Sequence, residues 1–180
     1  MSGATILDFY LENPECVSAL VLVAAVPNGF EMQGAPPAEM LEMIGAIEEG
    51  DLQRALALQI QLWVSSPHRS VEQISNALRN QVAEMSLIPL KNDTIRIADW
   101  APPEPLEPAA AYRLNEVSVP TLIVAGSLDN SEVVRAAKVM AAGITNAEKL
   151  IVTDTAHVLN MEKPQLFNEH VRSFLRDQKL

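Results

Sequence analysis

The pattern of apolar residues along the chain predicts three β-strands. Residues 18–25 and 120–125 are nearly continuous apolar runs rich in valine, leucine and isoleucine, and a shorter strand is predicted over 149–153, around Leu150-Ile151-Val152. Uninterrupted runs of this kind are typical of strands that are covered on both faces, as in a parallel sheet. We therefore expect a sheet with helices packed on both sides.

Apolar residues at helical spacing predict a helix before or after each of these strands. A first helix is predicted over residues 4–11, and Pro14 stops it. Helices over 131–142 and 164–176 follow the second and third strands. Strands and helices that alternate in this order are typical of a doubly wound α/β sheet.

A helical insertion separates the first two strands. One predicted helix ends near Gly50, Asp51 caps a second helix that runs to Trp63, and Ser70 caps a third. A stiff, proline-rich connector over 101–108 leads back to the sheet. The expected organisation is a first sheet-forming segment, a helical insertion and a second sheet-forming segment, at residues 1–30, 31–115 and 116–180.

The net charge of −10 argues against nucleic acids and anionic membranes as binding partners. Nucleic acids and anionic membrane surfaces are bound by basic patches, which a chain this acidic is not expected to carry. No apolar run approaches the roughly 20 residues that span a bilayer, and residues 1–13 lack the basic start of a signal peptide. Cys16 is the only cysteine, so no intrachain disulfide is expected. We expect a cytoplasmic protein with no nucleic-acid and no membrane partner.

Two residues with acid–base chemistry follow the second and third strands, namely Asp129 and His157. The carboxyl ends of neighbouring parallel strands meet at one edge of a sheet, where α/β proteins place their sites. An imidazole takes and returns a proton near neutral pH, and a buried carboxylate holds it in one tautomer. Simpler interpretations are a helix cap for Asp129 and a loop position without a task for His157. Asp154 is an alternative carboxylate.

The residues around these two positions resemble the α/β-hydrolases. Gly126-Ser127-Leu128-Asp129 matches the Gly-x-x-Asp turn of that family, and His157 is followed by Glu162-Lys163-Pro164-Gln165-Leu166-Phe167, which matches its Glu-x-Pro-x-x-Phe helix start. The resemblance covers essentially the whole chain. It implies a partial α/β-hydrolase fold with a three-stranded, mostly parallel sheet remnant and an inserted α-helical cap. In such a fold His157 is the general base of a catalytic triad and Asp129 orients it.

The resemblance also implies a position for the nucleophile. In the family a Gly-x-Ser-x-Gly elbow opens a helix that ends near Asn-Pro-Glu, here Asn13-Pro14-Glu15. Counting back puts the nucleophile just before Met1, and gives Met1 the place whose backbone N–H forms half of an oxyanion hole. At a free N-terminus that nitrogen is a mobile ammonium instead. Ser2 is an alternative nucleophile, although no glycine stands two residues after it.

The activity implied by the resemblance is hydrolysis of a small-molecule ester, lactone or activated C–C bond through an acyl-enzyme. Trp63 and Trp100 are candidates for lining the substrate pocket, and the simpler interpretation makes them core residues. The sequence contains no phosphate loop, dinucleotide fingerprint or Cys/His metal set, so no cofactor and no metal are expected.

Two further explanations for a start at Met1 remain open besides an active hydrolase. In the first, the gene is longer than this sequence, and the codon of the elbow methionine has been mistaken for its start codon. Alternatively, the chain is a truncated, inactive fragment that acts as a binding or oligomerisation module. In that case the first strand would lack its usual neighbour, and its exposed apolar edge would favour homo-oligomers or a complementing chain.

Overall fold

The computed structural model of the protein describes residues 2–92 and 106–180. These residues form two compact units, the first made of 2–33 with 106–180 and the second of 34–92. Residues 106–115, which the sequence pattern assigned to the helical insertion, therefore pack with the unit that contains the sheet.

A three-stranded parallel sheet forms the centre of the first unit. Its strands, which lie side by side in chain order, are β1 (Leu20–Val23), β2 (Thr121–Gly126) and β3 (Ala147–Val152). In the register, Leu20 lies beside Thr121, and Thr121 lies beside Ala147. The predicted α/β class and the parallel pairing of the strands are confirmed.

The α-helices of the described residues alternate with these strands. In chain order they are α1 (Ser2–Glu12), α2 (Ala38–Glu48), α3 (Leu52–Ile60), α4 (Asn76–Lys91), α5 (Ser131–Gly143), α6 (Leu159–Glu162) and α7 (Pro164–Asp177). Helices α1, α5, α6 and α7 belong to the first unit, and α2, α3 and α4 to the second.

The central strand β2 is buried along its whole length because helices cover both faces of the sheet. Side chains alternate between the two faces of a strand, and those of β2 divide accordingly. Ile123 and Ala125 join the core that contains residues of α1 and α5. Leu122 and Val124 join the core that contains residues of α6 and α7. This two-sided burial explains the uninterrupted apolar run that predicted the strand.

The second unit consists of helices and has an apolar core of its own. Asp51 caps α3, because its side chain accepts a hydrogen bond from the Arg54 N–H at 3.0 Å. The predicted cap at Ser70 is wrong for the long helix α4. Ser70 opens a single turn of 3₁₀ helix, after which Ile74 takes an extended backbone and buries its side chain. The cap of α4 is Ser75, whose hydroxyl accepts from the third residue of the helix.

No helix within the described ranges is long and apolar enough to cross a membrane.

Candidate active site

Asp129 lies in a tight turn at the carboxyl end of β2. Its backbone N–H donates to the Gly126 carbonyl at 3.3 Å. The side chain is 2% exposed, and its Oδ1 accepts a hydrogen bond from the Asn130 N–H at 2.7 Å. The cap of α5 is Asn130, whose side chain accepts from the Glu132 N–H at 2.9 Å. The Asp129 carboxylate is therefore not used as the cap of this helix.

His157 reaches Asp129 from the loop that follows β3. Its Nδ1 lies 3.0 Å from Oδ2 and 3.3 Å from Oδ1 of Asp129. A neutral imidazole that donates its Nδ1–H to this carboxylate presents Nε2 as the proton acceptor on the opposite side of the ring. The imidazole is 30% exposed, whereas the carboxylate is buried. The ring is thus accessible to a reactant while the charge that orients it is shielded from water.

The parallel sheet explains why two residues 28 positions apart meet. Since β2 and β3 are hydrogen-bonded neighbours that run in the same direction, the turns after them leave the sheet at the same edge. Asp129 follows β2, and His157 follows β3. Chemically, the pair can take a proton at Nε2 and stabilise the imidazolium that forms.

Asp154, the alternative carboxylate, occupies a different position in the same loop. It is an exposed turn residue with a left-handed φ of 54°, a conformation that aspartate tolerates better than most residues. Its backbone N–H donates to Ser127 Oγ at 2.9 Å. Among the described residues, Asp129 is the one whose carboxylate lies within hydrogen-bonding distance of the His157 ring.

Near the start of α5, an ion pair between Glu132 and Arg135 holds residues 30–33 in place. These residues end the stretch 2–33 of the first unit. Arg135 Nε donates to Glu132 Oε2 at 3.2 Å, and the guanidinium carbon lies 4.0 Å from the centre of the Phe30 ring. The Gln33 N–H donates to the same carboxylate oxygen at 3.0 Å. The hydrogen bond from Arg135, reinforced by that from Gln33, lowers the pKa of Glu132 below its ordinary value. The cluster holds residues 30–33 against the helix that begins just after Asp129.

The other residues predicted for the site belong to the second unit or lie outside the described residues. Trp63 is half-buried in the π-helical turn Gln61–Ser65, which belongs to the second unit. Met1 and Trp100 lie outside the described residues, as does the side chain of Ser2.

Two residues that support the pair were not predicted to have a role. Glu162 Oε1 accepts the backbone N–H of Ala156, the residue before His157, at 2.7 Å. Ser127 Oγ accepts the N–H of Asp154. Both residues stand inside the motifs quoted for the family resemblance, Glu-x-Pro and Gly-x-x-Asp, so a signal for them was present in the sequence.

No group of three or more histidine, cysteine, aspartate or glutamate side chains in the described part of the chain is placed to hold a metal ion.

Comparison with curated proteins finds a related enzyme. The chain is 27% identical over 176 residues to a 2-hydroxy-6-oxononadienedioate/2-hydroxy-6-oxononatrienedioate hydrolase of Klebsiella pneumoniae subsp. pneumoniae, and the match covers 97% of this chain and 59% of that enzyme. No protein-family profile matches the chain.

Solved structures share the fold. A thermophilic esterase superposes with a TM-score of 0.65 and 24% identity, over 98% of this chain and 63% of its own. An N-acyl homoserine lactone degrading enzyme superposes with a TM-score of 0.65 and 20% identity, over 96% of this chain and 63% of its own. The chain thus spans less than two thirds of the length of each of these proteins.

Together, these comparisons identify the fold of the chain. The described residues have a partial α/β-hydrolase fold. Its homologues are α/β-hydrolases of the esterase, lactonase and C–C hydrolase types.

Proposed function

We propose that the protein is a serine-type hydrolase that cleaves an ester, a lactone or an activated C–C bond of a small molecule. His157 is its general base and Asp129 the carboxylate that orients this base. The observation that carries the proposal is the 3.0 Å contact between Nδ1 of His157 and the buried Asp129 carboxylate. A buried acid that holds a partly exposed imidazole at the carboxyl edge of a parallel sheet is what this chemistry requires.

In this proposal the nucleophile is a serine that precedes position 1 in a longer protein. The spacing from Asn13-Pro14-Glu15 supports that position, and so does the fact that the chain matches 59% of the length of its curated relative. The backbone N–H of Met1 would then lie in a peptide bond and donate to the oxyanion. Trp63 and Trp100 remain candidates for contacts with the substrate.

The reaction proceeds in two stages. The serine oxygen attacks the carbonyl carbon while its proton passes to Nε2 of His157, and Asp129 stabilises the imidazolium. The imidazolium then gives this proton to the leaving oxygen, or to the leaving carbon where a C–C bond is cleaved, and an acyl-enzyme remains. Water next gives a proton to His157 and adds its oxygen to the acyl carbon. The proton finally returns to the serine oxygen as the acid leaves.

The experiment begins with the protein as made in its native cells. Its intact mass and N-terminal peptide show whether residues precede Met1, and labelling with a fluorophosphonate shows whether a nucleophilic serine is present. A longer, labelled protein would then be tested for turnover of nitrophenyl esters, lactones and vinylogous 1,5-diketones. The expected outcome is labelling and turnover with at least one of these classes.

A matched pair of variants tests the role of His157. We expect His157→Gln to lower kcat by about 10⁶-fold, as removal of a triad base does. His68→Gln, at an exposed histidine of the second unit, should leave kcat unchanged. An active enzyme whose rate survives His157→Gln would refute the proposed mechanism.

A second candidate function, a binding or oligomerisation module, is favoured by the edge of the sheet. Within the described ranges no strand pairs with the side of β1 that faces away from β2. Such an edge presents unpaired backbone donors and acceptors to another chain. Sedimentation of the 180-residue chain over a wide concentration range tests this function. A single monomeric species at all concentrations would argue against it, whereas a stable dimer without esterase activity would favour it.

A further inference from the structure

The turn that carries Asp129 and the loop that carries His157 are joined by two hydrogen bonds. We call residues 126–130 the Asp turn and residues 153–158 the His loop. The Leu128 N–H of the Asp turn donates to the Thr155 carbonyl of the His loop at 2.9 Å. In the opposite direction, the Asp154 N–H donates to Ser127 Oγ, also at 2.9 Å. The distance between Asp129 and His157 therefore depends on how closely these two segments approach.

Gly126 sets the limit of that approach. A Cβ at this position would lie 2.3 Å from the Thr155 carbonyl oxygen and 2.4 Å from that of Ala156. Real Cβ atoms essentially never come within 3.0 Å of such atoms, and both neighbours are backbone atoms that cannot rotate away. The His loop would have to retreat by at least about 0.7 Å to admit a methyl group. A retreat of that size along the Nδ1–Oδ2 line would lengthen the contact from 3.0 Å to about 3.7 Å, which is too long for a hydrogen bond.

Glu162 also holds the His loop in place. Its Oε1 accepts the N–H of Ala156, a fully buried residue, at 2.7 Å. Glu162 is the last residue of α6, and this helix is anchored by Leu159, which is completely buried in the core beneath β2 and β3. A carboxylate is a stronger acceptor of an N–H than a neutral group. The bond therefore fixes the backbone one residue before His157 to an element of the core.

We propose that Gly126 and Glu162 are positioning residues that set the hydrogen bond between His157 and Asp129. Gly126 allows the His loop to close onto the Asp turn, and Glu162 prevents the loop from moving away. The importance of both residues for turnover rests on the proposed hydrolase function, but their effect on the His157–Asp129 bond does not.

The test measures the tautomer of the neutral His157 ring in the 180-residue chain itself, by long-range proton–nitrogen correlation from the carbon-bound ring protons. The unsubstituted chain should show the Nδ1–H tautomer. Glu162→Ala and Gly126→Ala should lower the ratio of the Nδ1–H to the Nε2–H tautomer roughly tenfold, as expected for loss of a hydrogen bond to a charged group. Glu162→Gln, which keeps an acceptor oxygen, should restore most of the ratio.

Two control variants separate positioning from a general loss of stability. Gly45→Ala introduces a methyl group with no atom within 4 Å, and Glu169→Ala removes an exposed carboxylate from α7. Both should leave the tautomer ratio unchanged. If Gly126→Ala fails to fold, the comparison of Glu162→Ala with Glu162→Gln decides whether the position of the His loop sets the hydrogen bond between His157 and Asp129.

The outcomes for the positioning role and for the function are distinguishable. Folded Glu162→Ala protein with an unchanged tautomer ratio would overturn the positioning role of Glu162, and a folded Gly126→Ala protein with an unchanged ratio would overturn that of Gly126. The tautomer ratio can respond as expected while the longest native form of the protein neither binds a fluorophosphonate nor turns over substrate. That outcome would uphold the positioning role and overturn the proposed hydrolase function.

Discussion

The position of the proton on the His157 ring can be tested by replacing Asp129 with asparagine. Asparagine has nearly the same shape as aspartate but only one acceptor oxygen, together with an NH₂ group that donates. The carboxylate accepts from the Asn130 N–H through Oδ1 at 2.7 Å and faces Nδ1 of His157 through Oδ2 at 3.0 Å. If the amide oxygen keeps the bond to Asn130, the NH₂ group faces Nδ1. That nitrogen must then be the acceptor, and the proton moves to Nε2.

The size of the effect follows from the two kinds of hydrogen bond. A hydrogen bond to a charged group contributes about 1.5–3 kcal/mol, and this carboxylate is 2% exposed, so little screening by water is expected. The Nδ1–H tautomer should therefore be favoured by roughly 10- to 100-fold in the unsubstituted chain. Asp129→Asn should remove this preference or reverse it. In an active enzyme the same substitution should lower kcat by about 10⁴-fold, since Nε2 would no longer accept a proton.

The assay is the nitrogen spectrum of the imidazole in its neutral form, recorded for the unsubstituted chain and for Asp129→Asn. Asp154→Asn, at the other carboxylate near this edge, is the matched control and should leave the spectrum of His157 unchanged. The reasoning would be refuted if Nε2–H were already the main tautomer in the unsubstituted chain. Equal spectra for Asp129→Asn and the unsubstituted chain would refute it as well.

Three further substitutions test the fold of the two units. The lowered pKa of Glu132 means that its ionised form stabilises the folded state, so Glu132→Gln should lower the free energy of unfolding at pH 7. This difference should disappear as the pH falls below about 4, because the carboxylate of the unsubstituted chain is then protonated. Urea titrations at pH 7 and below pH 4 measure the difference, with Glu169→Gln as the control. Ser75→Ala should cost about 1 kcal/mol through loss of the α4 cap, which urea titration of the same chain would detect; no change would argue that α4 does not begin there. Leu159→Ala should cost about 2–5 kcal/mol because the residue is fully buried, whereas Leu41→Ala, at an exposed position, should cost much less.

The strands, and the position of Asp129 and His157 at one edge of the sheet, could be predicted because their signals are local. The apolar run of β2 reflects burial on both faces of one strand, and Asp129 and His157 each stand just past a strand that such a run predicts. Parallel pairing then brings them to one edge without any further information. Their actual distance was not predictable, because it depends on contacts such as that of Gly126 with the His loop.

The start of α4 was mispredicted because two serines carry the same local signal. Ser70 and Gln73 form a complete capping box, so the residues around Ser70 have the sequence of a helix start. The structure uses this box for one turn only, and Ser75 caps the helix instead. The choice between them depends on the burial of Ile74, which lies between the two caps. Burial of one side chain by tertiary contacts cannot be read from local spacing.

The contacts described above between the Asp turn, the His loop and Glu162 come from a continuous stretch of the chain. Gly126 ends β2 beside Val152 of β3, the Leu128 N–H bonds the His loop, and Glu162 secures that loop from the helix that follows it. No residue of the second unit takes part in these contacts. We therefore expect substitutions in residues 34–92 to leave these contacts unchanged. A protein built in this way can vary residues 34–92 without changing the residues that hold the His157 ring beside the Asp129 carboxylate.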